Sequence, residues 1–164
     1  NASVSVEPPM FVDVVNVTSA ADMAEVVKSK ASEQDIIIMT AAVADFCPSH
    51  PADEKIKKND SSYESVIELE RTEDILSYLG AHKAKGQLIC GFSMETQNML
   101  ENSKAKLAKK NADMIVANNL KVAGAGFGTD TNVVTLITAD DCTELEIMDK
   151  SCVAARIMDR LLQM

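Results

Sequence analysis

Lysines carry the most specific chemistry that this sequence offers. Lys106 and Lys110 stand four residues apart in AKLAKKNAD, and on a helix that spacing brings two side chains to one face. Two ammonium groups so placed can clamp a phosphate chain as point charges, although a solvated helix face has the same pattern. A second cationic run, Glu54-Lys55-Ile56-Lys57-Lys58, follows a segment broken by Pro48 and Pro51 and reads either as an anion site or as a solvated loop. Both clusters stand out because the chain as a whole has a formal net charge of −9. Just upstream, Thr40, Ala41 and Ala42 follow an apolar run; the two alanines leave the backbone open to close approach by a ligand, and Asp45 adds an acid nearby.

Other chemistries are disfavoured by the same inspection. Cys47, Cys90, Cys142 and Cys152 form no CxxC pair, and with His50 and His82 as the only histidines a zinc site is not expected. Cys90 and Cys152 fall in apolar patterns and read as buried thiols, whereas Cys47 in the central loop is a bystander or, less simply, a nucleophile. A strongly acidic balance argues against a general nucleic-acid surface, so clustered lysines point to a small anion. No apolar run approaches the roughly 20 residues that span a bilayer. The start, NASVSVEPP, has no apolar signal region, and the expectation is a cytoplasmic protein. A length of 164 residues, 46% hydrophobic and 25% charged, suits a single soluble domain with a real core.

The elements that must position these residues alternate along the chain. Phe11 to Val17 (FVDVVNV) predicts a strand, and Ser19 with Asp22 resembles a capping box that opens a helix running to about Ser32. Ile36 to Met39 is an unbroken apolar run, the pattern of a strand buried on both faces of a parallel sheet. Weak alternation at 65–69 predicts another strand, and Thr72 can cap a short helix containing Asp74, Ile75 and Leu76. Leu88 to Phe92 reads as a buried strand, Asn98 to Asn111 as a helix, and Asp113 to Ala117 as a further buried strand. Val133 to Thr138 and Glu144 to Met148 alternate around an Asp140-Asp141 turn, and Ser151 to Leu162 closes the chain as an amphipathic helix with Val153, Ile157 and Leu161 on one face. The fold class expected is α/β: a Rossmann-like, doubly wound, mainly parallel sheet with helices on both faces and a C-terminal β-hairpin. Ligands of such sheets lie at the carboxyl ends of the strands, where Thr40-Ala41-Ala42, Gly91-Phe92 and Asn118-Asn119 should converge. The glycine-rich stretch VAGAGFG (122–128) lacks the strand-then-helix context of a dinucleotide fingerprint.

Taken together, AAVADF (41–46), EKIKK (54–58), DIL (74–76), GFSMET (91–96), AKLAKKNADMIVANN (105–119) and GFGTDTN (126–132) resemble the bacterial phosphopantothenate–cysteine ligases, from about Pro8 to Leu162. The resemblance implies CTP as co-substrate with Mg²⁺, and 4′-phosphopantothenate and L-cysteine as the molecules joined through an acyl-cytidylate in coenzyme A synthesis. Carried over by motif, Asp45, Glu73, Asp74, Ile75, Leu76, Phe92, Lys106 and Lys110 fall at nucleotide-binding positions together with Thr40 and Ala41. Ala42 would meet the acyl-cytidylate, Lys55 takes the catalytic position, and Asp45 is the metal candidate. Residues from about Lys57 to Ser62 would form a mobile flap.

Family members begin with a further strand–helix unit bearing glycine-rich and Ser-Ser-Gly-Lys-type signatures and an asparagine that handles the acyl intermediate. This chain starts where the next segment would begin, so it reads as a ligase domain truncated at its N-terminus. A homodimer through 133–138 and 144–148 is expected, as is fusion or association with a flavin-dependent phosphopantothenoylcysteine decarboxylase. The competing readings are an NAD(P)- or flavin-binding α/β module and a non-catalytic interaction domain.

Overall fold

The computed structural model describes residues 7–52, 54–55, 66–95, 98–119 and 128–164, which form two compact units. Residues 1–26 and 42–74 make up the smaller unit, and residues 27–41 and 75–164 the larger. The expected flap, Ile56 to Lys58 of the cationic run, and the glycine-rich stretch up to Phe127 lie outside the described residues.

The larger unit is built on five strands: β1 (Ile36–Met39), β4 (Leu88–Glu95), β5 (Met114–Asn119), β7 (Val134–Ile137) and β8 (Cys142–Glu144), in the order β1-β4-β5-β7-β8. The pairs β1–β4 and β4–β5 are parallel, while β5–β7 and β7–β8 are antiparallel, so the sheet is mixed, parallel from β1 to β5 and antiparallel from β5 to β8. Met114, Val116 and Cys90 pack on one face with Val153, Ile157 and Leu161 of helix α4 (Lys150–Leu161), as the spacing of those three residues predicts. Gly91 and Ile115 turn to the other face, where helix α2 (Ile75–Ala81) and helix α3 (Met99–Lys110) lie. Ile89, Met114, Ile115, Val116 and Ile137 are fully buried, and each such side chain contributes about 1.5–3 kcal/mol. Helix α3 fills the expected span between Asn98 and Asn111, both in the left-handed conformation that asparagine tolerates.

Close approach of α2 to α3 depends on Gly80. A methyl group there would collide with the Lys110 carbonyl oxygen, and the Asn111 side-chain amide donates to the Gly80 carbonyl at 2.7 Å. At Gly91, likewise, a Cβ would lie 2.6 Å from a methyl of Leu76, so α2 packs directly on the backbone of β4.

Several expectations need correction. The stretch FVDVVNV forms no strand: Phe11 has φ 64°, and Val12, Val14 and Val15 are exposed. Alternation supplies β-propensity, but a strand exists only beside a partner, and none of the described strands pairs with these residues. Strand β1 is half-buried rather than buried on both faces: among the described strands it pairs with β4 alone and stands at the end of the strand order. Gly91-Phe92 is not a strand end; β4 continues to Glu95, with Glu95 opposite Asn119. The segment predicted at 144–148 divides between β8, which pairs with β7, and β9 (Met148–Asp149), which pairs with β6 (Thr131–Asn132).

In the smaller unit, β2 (Phe46–Pro48) and β3 (Leu69–Arg71) form an antiparallel ribbon. The strand anticipated at 65–69 is thus displaced toward Arg71, and its partner lies in a segment that Pro48 had marked as a loop. Proline is tolerated there because such a ribbon consists of edges. The Cys47 thiol is turned to Glu70 within the ribbon (3.9 Å), and the Arg71 guanidinium lies over the Phe46 ring.

Helix α1 (Ala20–Ala31) begins as the capping box predicts. The Ser19 amide donates to the Asp22 carboxylate at 2.9 Å, the Asp22 amide donates to the Ser19 hydroxyl at 3.1 Å, and the Thr18 hydroxyl donates to the same carboxylate at 2.8 Å. The Thr18 and Ser19 hydroxyls, and then their amides, hold the Asp22 carboxyl down at about 2, below its ordinary 3.8. A depressed carboxyl stabilises the fold above its unfolded value, and that increment disappears as pH falls from 3.8 through about 2. Asp22→Asn should therefore lower the melting temperature at neutral pH and flatten its decline over that acid window, which thermal unfolding across a pH series would measure.

Candidate functional site

The larger unit brings its share of the predicted site residues together along one seam between α3 and β4. β1 stops at Met39, opposite Gly91, so Phe92 is the first β4 residue beyond the end of β1, level with the exposed Thr40 and Ala41. Lys106 reaches across from α3, and its ammonium donates to the Phe92 carbonyl at 3.0 Å. A charge-assisted bond of this kind, half-buried here, is worth about 1.5–3 kcal/mol. The Phe92 ring packs toward the α4-side core, leaving its carbonyl to the lysine. One turn further on, the Lys110 ammonium donates to the Ser77 hydroxyl of α2 at 2.9 Å. Both lysines are thus turned inward on the helix rather than splayed into solvent. Ile75 is buried, and Leu76 is half-buried against Gly91.

The smaller unit holds the remaining candidates. Thr72 ties two of its segments together: its amide donates to the Asp45 carbonyl at 3.0 Å, and its hydroxyl donates to the carbonyl of Ala44. That hydroxyl therefore does not cap α2 as the sequence suggested. Asp45 and the exposed Glu73 and Asp74 are brought near one another by this tie, with their side chains at the surface. Ala42 and Lys55 are exposed.

Sequence reasoning missed the polar contacts that join α3 to β4 beside the lysines. The hydroxyls of Ser93 on β4 and Ser103 on α3 meet at 2.8 Å, and both residues are buried. At the outer end of the seam the Asn102 amide donates to the Glu95 carboxylate at 3.2 Å. A signal for the first pair was present: Ser93 is a polar residue inside LICGFSME, on the face it shares with the apolar Ile89 and with Gly91. At the opposite end of the sheet, the Asp113 carboxylate accepts from the Ile89 amide at 2.7 Å and from the Lys83 ammonium at 2.8 Å. Cys90 beside it is inert as a nucleophile, because burial first and the Asp113 charge second push its thiol up to about 12.

Past the strand ends, the Asn132 amide donates to the Asn118 side-chain oxygen at 2.8 Å, while its own oxygen accepts from the Val133 amide at 2.9 Å. The carboxyl ends of β4 and β5 are accordingly finished by Glu95, Asn118 and Asn119. Two ammonium groups thus point into the packed elements, Lys106 at the Phe92 carbonyl and Lys110 at the Ser77 hydroxyl, and β4 and β5 end in polar residues.

The family model for the DNA/pantothenate metabolism flavoprotein C-terminal domain matches residues 1–164. The coenzyme A biosynthesis bifunctional protein CoaBC of Bacillus subtilis is 46% identical over 156 residues, which cover 94% of this chain and 38% of that protein. A protein from an unknown prokaryotic organism, described as cysteine/cysteine sulfinic acid decarboxylase, is 45% identical over 152 residues, 92% of this chain and 42% of that one. The chain thus spans about two-fifths of the length of the curated relatives it matches. Among solved structures, the crystal structure of the C-terminal domain of CoaBC superposes with a TM-score of 0.78 at 40% identity, covering 99% of this chain and 72% of that chain. A Cab2 variant in complex with phosphopantothenate-cysteine has a TM-score of 0.63 at 18% identity over 90% of this chain and 52% of that one, a likeness of fold alone. The chain belongs to the family of the DNA/pantothenate metabolism flavoprotein C-terminal domain.

Proposed function

We propose that this chain is the nucleotide-binding portion of a phosphopantothenate–cysteine ligase that works with CTP. The observation that carries this reading is the inward-turned pair on α3, Lys106 bonded to the Phe92 carbonyl beside the end of β1 and Lys110 bonded to Ser77 of α2, in a chain whose net charge is −9. An acidic protein holds a triphosphate only where local cations outweigh its general repulsion of anions. A lysine ammonium has three donors, and the Lys106 ammonium gives one to the Phe92 carbonyl, so the others can turn to phosphate oxygens without repositioning the side chain.

In this reading the carboxylate of 4′-phosphopantothenate attacks the α-phosphorus of CTP, and the bond to the bridging oxygen breaks as pyrophosphate leaves. The amine of L-cysteine then attacks the acyl carbon of the resulting acyl-cytidylate, and CMP departs with the electron pair of the acyl–oxygen bond. Lys106 and Lys110 hold phosphates, Phe92 lies beside the nucleotide, and Thr40, Ala41 and Ala42 offer backbone to the acyl intermediate. Asp45 with Glu73, Asp74, Ile75 and Leu76 contributes the remaining nucleotide contacts. Lys55 stabilises the charge that develops as the amine attacks.

Magnesium bound with the triphosphate supplies charge neutralisation. An ion that arrives on substrate phosphates takes only one or two protein carboxylates, and Asp45, exposed in the smaller unit, is the one that would hold it. Among the described residues no group of three or more His, Cys, Asp or Glu side chains is placed to hold a metal ion. Among the described residues no helix is long and apolar enough to cross a membrane, and a cytoplasmic site of action fits the substrates of this reading. The names of the relatives support a longer protein that also carries a decarboxylase portion. A homodimer belongs to this reading, but β7 is enclosed between β5 and β8, so the exposed edge of β8 would make the contact.

Two outcomes test the proposal. With Mg²⁺ present, CTP should raise the melting temperature more than ATP, GTP or NADPH at equal concentration, because a ligand that binds only the native state stabilises it; an equal or larger shift with ATP would overturn the choice of nucleotide. In a chain that includes the preceding strand–helix unit of its relatives, Lys55→Gln should spare most CTP affinity and slow product formation by about 10²-fold, with acyl-cytidylate accumulating in rapid-quench samples. Unchanged turnover with no trapped intermediate would remove Lys55 from the catalytic step.

A further inference from the structure

The seam between α3 and β4 has an asymmetry that apolar packing does not explain. Leu107, Ile89, Ile115 and Ala117 supply a buried apolar interface, yet a hydroxyl pair, Ser93 with Ser103, is set into it at 2.8 Å with relative exposures of 3% and 0%. Apolar contact is non-directional, and a helix held by it alone can shift along a sheet by fractions of an ångström at little cost. A buried hydrogen bond is directional and is strengthened by its low-dielectric surroundings, so it fixes register. The position of this one matters. Ser103 precedes Lys106 by three residues, close to one helical turn, and Ser93 directly follows Phe92, whose carbonyl receives the Lys106 ammonium. Consecutive residues of the strand are therefore bonded to consecutive turns of the helix. Long side chains on a helix lean toward its N-terminus, so the stem of Lys106 lies over the turn that carries Ser103.

We infer that Ser93 and Ser103 are positioning residues: their hydroxyl pair sets the register of α3 on β4 and thereby the place of the Lys106 ammonium at the strand end. The exposed Glu95–Asn102 contact continues the same seam outward. The inference rests on the nucleotide reading only for its functional consequence; the placement of the ammonium is a separate claim and can be measured separately.

The decisive variant is Ser93→Ala/Ser103→Ala. Each single alanine leaves one buried hydroxyl without its partner, whereas the double replacement removes both groups and should melt closer to the wild type than the less stable single variant does. Lysine reactivity is then read by competitive labelling with trace acetic anhydride and mass spectrometry, with the exposed Lys104 on the same helix as internal reference. In the wild type Lys106 should label several-fold more slowly than Lys104, and in the double variant it should rise toward the Lys104 rate. The dissociation constant for CTP with Mg²⁺ should rise about 10-fold in the double variant and show no further change when Lys106→Gln is already present.

If Lys106 labelling in the folded double variant equals that in the wild type, the hydroxyl pair does not position the lysine and the inference is overturned. If labelling changes as expected but the wild type does not bind CTP, the positioning role stands and the nucleotide reading of the site falls. If CTP affinity follows melting temperature through the single and double variants while labelling stays constant, the pair is structural only.

Discussion

The Asp113 carboxylate holds the end of the sheet from which the site is measured. It stands where β4 and β5 begin, is only 20% exposed in its side chain, and accepts from the Ile89 amide and the Lys83 ammonium at once, while the Asp113 amide donates back to the Ile89 carbonyl. Lys83 also donates to the Asn111 carbonyl, at the C-terminal cap of α3. One carboxylate thus joins both strands, the loop after α2 and the end of α3. Removing it would leave a partly buried ammonium and a strand amide without their acceptor, a loss of about 3 kcal/mol or more for a pair of this kind. With that end fixed, the rigid geometry of helix and strand carries the register to the other end, where Ser93, Ser103 and Lys106 make the remaining cross-links.

In the proposed reading, this arrangement reconciles an acidic protein with an anionic ligand. The net charge disfavours phosphate almost everywhere on the surface, and long-range attraction cannot compensate because salt screens exposed charges over roughly 8–10 Å. Affinity must come from a few cations at short range. Lysines free to wander in solvent would lose side-chain entropy on binding; a lysine already bonded to the Phe92 carbonyl has undergone much of that loss during folding. The absence of side-chain bulk at Gly80 and Gly91 serves the same end, since it lets α2 lie against α3 and β4 closely enough for Ser77 to receive Lys110.

Much of this was legible in the residues. The lysine pair, the capping box at Ser19 and Asp22, the asparagine-bounded helix α3 and the inward stripe of α4 follow from local rules of spacing and capping, and the structure follows them. Pairing was less legible, because it depends on what lies alongside. FVDVVNV alternates well yet pairs with none of the described strands, while Phe46-Cys47-Pro48 looks like a loop and pairs with Leu69–Arg71. β4 was expected to end at Phe92; it continues to Glu95, with Ser93 bonded to Ser103 and Glu95 to Asn102 across the interface. The two polar residues in this extension of the strand both bond to α3.

The central claim, that the ammonium groups on α3 form the phosphate-binding part of a nucleotide site, is tested most directly by calorimetric titration of CTP with Mg²⁺ into this chain and into Lys106→Gln/Lys110→Gln. At about 1.5–3 kcal/mol for each charge-assisted bond, the account predicts saturable binding to the wild type and a dissociation constant roughly 100-fold or more higher in the double variant, with the fold retained. Binding of equal strength to both proteins would contradict it.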